Sequence, residues 1–122
     1  MKFMCECGSV IVDQTDGLPY RAYLLPDQDA FAFLDRLRTL LDGLVSPDEG
    51  RKGKATVQAM PLRNKLQREV NRLWAESFRD VYQCPECGRL HVESLDRQRL
   101  ASFLPEDEDT PKTLLQSAAS PE

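Results

Sequence analysis

The four cysteines of this 122-residue chain fall in two short, glycine-backed pairs, Cys5 and Cys7 in MCECG and Cys84 and Cys87 in QCPECG. Four thiolates delivered in this way suit one tetrahedral metal ion, zinc above all, in a closed site with no open position for substrate or activated water. Such a site must draw the N-terminus onto residue 84 and close a loop over the 76 residues between Cys7 and Cys84. The spacing predicts a metal-stapled fold in which most of the chain is an insertion. Oxidised cysteine pairs and iron are the competing readings.

A chain of this length holds one core. With 41% hydrophobic and 30% charged residues, that core is modest and the protein is expected to be soluble. No apolar run approaches the roughly 18 residues needed to span a bilayer. The opening MKFMCECGSV lacks the apolar stretch and cleavage site of a secretion signal. The cytoplasm is therefore the expected compartment, and reduced cysteines there favour metal ligation over disulfides.

Residues 9–15, SVIVDQT, read as a short strand, and Tyr20–Leu25, bracketed by Pro19 and Pro26, as a strand at a sheet edge. Asp27 is the expected N-cap of a helix whose Ala30, Leu34, Leu37, Leu41 and Leu44 recur at intervals of three and four. A charged, glycine-containing loop follows. A second amphipathic helix is expected from Pro61, with Leu62, Leu66, Val70, Leu73 and Val81 on one face and Lys65, Arg68, Arg72 and Arg79 opposite. Leu90 and Val92 should face the core from a strand, paired with another at Arg99–Leu104. The acidic stretch from residue 106 lacks a core-forming pattern and is expected to be flexible.

CPECGRLHV resembles the knuckle of the zinc-ribbon group, in which a tight C-P-x-C-G turn points backbone amides at the thiolates. MCECG departs from that pattern by its C-x-C spacing. The resemblance implies Cys84 and Cys87 as ligands, with Cys5 and Cys7 completing the set. The resulting expectation is an α+β fold: a small antiparallel zinc-ribbon-like sheet with two amphipathic helices inserted over about 27–80. It forms a single zinc-stapled domain over 1–105, followed by a flexible acidic tail over 106–122. His91, the sole histidine, is expected on a strand surface, with replacement of Cys5 as a ligand its alternative.

The chain contains no phosphate-binding glycine loop, zinc-protease helix motif or nucleophile elbow, and no catalytic role is expected. Charge is unevenly spread: net −4 overall, with ten basic against seven acidic residues over 30–83 and acidic excess at both ends. The leading expectation is a bacterial protein-interaction module, an adaptor, inhibitor or immunity-type protein whose zinc only holds shape and whose acidic ends could meet a basic partner. The second is nucleic-acid binding through the basic middle, by Arg51, Lys52, Lys54, Lys65, Arg68, Arg72 and Arg79.

Overall fold

The computed structural model describes residues 1–43 and 52–119. Its elements run β1 (Lys2–Met4), β2 (Val10–Val12), β3 (Arg21–Leu24), α1 (Asp27–Asp42), α2 (Lys52–Ser77), β4 (Arg79–Gln83), β5 (Leu90–Glu93) and β6 (Leu100–Phe103). This is the expected α+β class, with two antiparallel sheets: a β1–β2 hairpin and a four-stranded sheet in the order β3-β4-β5-β6. The chain divides into two compact units. One comprises Met1–Leu24 and Arg79–Glu122; the other is Leu25–Phe78.

In the strand unit, alternation along β4 sends its side chains to two faces. Asp80, Tyr82 and Cys84 share the face that meets the β1–β2 hairpin, where Phe3 packs edge-on to Tyr82 with centroids 5.3 Å apart. Ile11, Cys5, Tyr82 and Cys84 form the buried cluster there, flanked by Phe3, Tyr20, Cys87 and Leu100. His91 pairs with Tyr82 across the β4–β5 ladder and so faces the same way. It is only 3% exposed. This corrects the expectation of a surface histidine: the hairpin covers the strand face that alternation had assigned to water.

The opposite face presents Gln83, which is fully buried. Its amide donates to the carbonyls of Gly88 (3.3 Å) and Pro111 (3.1 Å). Its side-chain carbonyl accepts from the Leu114 amide at 2.8 Å. Pro111 and Leu114, which lie in the stretch expected to be a flexible tail, are thus hydrogen-bonded to the sheet. The physical reason is the cost of leaving a buried carboxamide unpaired. Replacing Gln83 with alanine is expected to cost about 1–3 kcal/mol and to expose the Leu114 amide to hydrogen exchange. Unchanged protection there would show that the anchor is unimportant.

In the helical unit, α1 starts after Pro26, whose extended backbone precedes the first turn without a side-chain cap. Asp27 is the first helical residue rather than the cap. Phe33 packs edge-on to Phe78 (5.2 Å) and Trp74 (6.5 Å), and those two rings stack at 4.2 Å. Leu73 is the buried residue among the described side chains of α2.

Helix α2 begins at Lys52, nine residues before Pro61, and ends at Ser77. It therefore starts earlier and stops sooner than expected. Ala55, Ala59 and Met60 favour helix, whereas the aromatic and β-branched run after Phe78 favours strand. Val81 and Arg79 consequently lie in β4, and Arg79 donates to the Glu93 carbonyl at 3.4 Å. No described helix is long and apolar enough to cross a membrane.

Candidate metal centre

Two turns with matching backbone bonds present the four thiols. In the first, between β1 and β2, the Cys5 amide donates to the Ser9 carbonyl (2.8 Å) and the Gly8 amide donates to the Cys5 carbonyl (2.9 Å). In the second, between β4 and β5, Cys84 donates to Arg89 and Gly88 donates to Cys84, both at 2.9 Å. Gly8 and Gly88 have φ of +97° and +82°, a left-handed conformation in which glycine carries no Cβ penalty. The second cysteine of each pair immediately precedes its glycine. The first turn is simply one residue shorter between the same bonds, which accounts for C-x-C where the other turn has C-x-x-C.

The four Sγ atoms lie within 4.8 Å of one another. Cys5 and Cys87 approach to 3.5 Å, and Cys7 and Cys84 to 3.6 Å. These distances far exceed the roughly 2.05 Å of a disulfide. They approach the edge of a tetrahedron with metal–sulfur bonds of about 2.3 Å, which is roughly 3.8 Å. All four thiols are free. The chain therefore brings together a four-cysteine cluster at metal-binding distance, drawn equally from its N-terminal hairpin and its larger sheet.

Burial differs around the cluster: Cys5 and Cys84 are buried, Cys87 is half-buried and Cys7 is exposed. Burial pushes the Cys5 thiol up to about 12, so without a cation it keeps its proton. Cys7 is lowered to about 6, first by its side-chain and backbone hydrogen bonds with Ser9. Burial opposes ionisation of Cys87, but the Arg89 amide and the neighbouring thiols Cys5 and Cys84 outweigh it and hold its pKa below the ordinary thiol value. A metal ion arriving here displaces protons from a cluster that cannot carry four uncompensated negative charges. Arg89 covers the outside, donating to Cys87 Sγ at 3.5 Å and pairing with Glu6 at 3.7 Å. It thereby ties one turn to the other and offsets negative charge on the thiolates.

His91 is not in the cluster. Its Nδ1 hydrogen-bonds with Ser102 Oγ at 2.7 Å, and its ring lies edge-on to Phe3 at 5.1 Å. Nε2 is buried without a hydrogen-bond partner, and burial lowers the ring's pKa. Neutral imidazole is the form that fits this environment.

A model of a domain of unknown function, DUF8617, matches residues 1–109. The chain belongs to this family. The DUF8617 match takes in both cysteine turns and all the described helices and strands. No curated protein and no solved structure matches the chain significantly.

The basic residues read from the sequence fall on different elements. Lys65, Arg68 and Arg72 are exposed on α2. Arg79 has moved to β4. Arg51 lies outside the described residues, as do the side chains of Lys52 and Lys54.

Sequence reasoning missed a second polar cluster. Arg21 bridges Asp13 (2.8 Å) and Asp80 (2.9 Å), while Tyr82 donates to the other oxygen of Asp13 at 2.5 Å. Arg21 also lies over the Tyr23 and Tyr82 rings, 4.9 and 5.8 Å from their centroids. The available signal was an arginine set between aromatic residues in a short strand.

Proposed function

We propose that the four cysteines hold one structural zinc ion in a zinc-ribbon-like fold, and that the protein is a non-catalytic interaction module of the adaptor, inhibitor or immunity type. Four thiolates complete a tetrahedral shell, so a bound ion supplies rigidity rather than a reaction site. Thiolate sets favour zinc or iron, and the C-x-C turn departs from the paired C-x-x-C spacing of rubredoxin-like iron sites.

The observation carrying the interaction reading is the outer face of the hairpin. Lys2 and Val12, and Met4 and Val10, pair across the strands. Phe3 and Ile11 point to the core, which leaves Met4 70% and Val10 55% exposed. An apolar surface held rigid by its own metal turn suits a protein partner. The acidic residues at 106–109 favour one of basic character.

The test is to purify the tagged chain from its native cells, with and without nuclease, alongside a Met4→Lys/Val10→Lys variant. One zinc per chain is expected by elemental mass spectrometry for both proteins. A stoichiometric protein partner should survive nuclease and be lost from the variant. Iron in place of zinc, or a partner retained by the variant, would overturn the corresponding half of the proposal.

Nucleic-acid binding is the second reading, favoured by the exposure of Lys65, Arg68 and Arg72 on α2. It predicts nucleic acid in the purified complex, steep release by salt, and loss when these three residues are neutralised.

A further inference from the structure

Helix α1 has no buried residue, although Phe31 is 76%, Leu34 51% and Leu41 49% exposed. Ala30, Phe33, Leu37 and Leu40 form its first seam, half-buried on the side where Phe33 meets Trp74 and Phe78. At 3.6 residues per turn, Phe31, Leu34 and Leu41 form a second stripe about 90° round the helix. Arg38 sits within that stripe, ion-paired to Asp35 at 3.8 Å on its own helix. A two-helix hairpin buries one seam on each helix, whereas a helix with two adjacent seams belongs in a bundle of more than two.

Charge indicates which helix covers the second stripe. Over Asp27–Asp42, Asp27, Asp29, Asp35 and Asp42 outnumber Arg36 and Arg38. Over Lys52–Ser77, Lys52, Lys54, Arg63, Lys65, Arg68 and Arg72 outnumber Glu69 and Glu76. Two α1 helices placed together would oppose like charges; α1 against another copy's α2 brings opposite charges together. A two-fold axis makes that contact twice, because the same patch serves both copies.

We propose that the helical unit is a dimerisation element, in which the Phe31, Leu34 and Leu41 stripe packs on α2 of a second copy to give a four-helix bundle. This goes beyond the interaction reading above, which rests on the hairpin in the other unit. The two succeed or fail separately.

The test is sedimentation of the full chain beside Phe31→Glu/Leu41→Glu and the single substitution Leu34→Lys, with helicity checked by circular dichroism. The unmodified chain is expected to sediment at twice its 13.9 kDa. The double variant, with native helicity, should weaken dimerisation at least about 100-fold, since each apolar contact is lost on both sides of the axis. Leu34→Lys provides the milder version of the same change.

Carbodiimide cross-linking of mixed light and heavy-isotope chains then reads the arrangement. Mixed-isotope links from α1 carboxylates to Lys65 are expected. A monomer at concentrations up to about 0.1 mM, far above a micromolar dissociation constant, would overturn the proposal. So would dimers that persist in both folded variants, or mixed-isotope links confined to segments outside the two helices.

Discussion

Stripping the metal from the purified chain is expected to unfold the strand unit. Among the described residues the buried side chains of that unit are few: Cys5, Ile11, Val81, Tyr82, Gln83, Cys84 and His91. Two of those seven are proposed ligands, and β1 and β2 have only three residues each. An isolated two-stranded hairpin is marginal in water. Without a cation, Cys5 keeps its proton, and four thiols crowded within 4.8 Å lose the bonds that offset their crowding.

A metal ion in the cluster would also fasten residue 7 to residue 84 across a long loop and offset its closure entropy. Structural zinc supplies on the order of 10 kcal/mol in small domains, comparable with the whole stability of an ordinary one. Chelation under reducing conditions should therefore abolish hydrogen-exchange protection in β1, β2, β4 and β5. The helical unit contains none of the cysteines, and its amides should change less. Cys84→Ser should behave like the chelated chain. Retained strand protection in either sample would mean that the cluster does not hold this fold together.

The sequence was most legible where one residue type carries the whole signal. Paired cysteines backed by glycine announced both turns, and the structure adds only that the shorter spacing reflects a shorter loop between the same hydrogen bonds. The edge position of β3 and the β5–β6 pairing followed from proline and turn signals in the same local way. Legibility failed where a second layer decides. Alternation over residues 90–93 reads Leu90 and Val92 as the core face, yet the hairpin arriving from residues 2–12 buries His91. Gln83 and residues 111–114 complete one another's hydrogen bonds from opposite ends of the sequence stretch, and neither signals the other. The α2 to β4 change falls within a continuous apolar periodicity, so Arg79 and Val81 fit the helical pattern while belonging to a strand. The His91 and Gln83 failures concern contacts between residues distant in sequence, which local patterns do not encode.

The same lesson governs the polar cluster around Arg21, where replacement by alanine is expected to have the second-largest effect. The hairpin is held to the larger sheet at its turn by the cysteines, in its middle by Phe3 and Ile11, and at its open end by Asp13. Asp13 accepts from both Arg21 and Tyr82, and Tyr20 donates to the neighbouring Val12 carbonyl. The Arg21 and Asp13 side chains are only 19% and 10% exposed, and Asp80 is 28% exposed, so solvent screens this network much less than a surface pair.

Arg21→Ala leaves two carboxylates facing a vacated site and should cost about 3 kcal/mol. Arg21→Lys keeps the charge but not the planar fork that reaches both partners, so it should recover only part of that loss. Adding Asp80→Asn to Arg21→Ala removes one of the stranded charges and should restore stability relative to the single variant. Denaturant titrations of the metal-loaded protein read all three. A loss within about 0.5 kcal/mol for Arg21→Ala would place the pair among the weak surface ion pairs. Failure of Asp80→Asn to compensate would show that the arginine acts through its packing on Tyr23 and Tyr82 rather than through its charge.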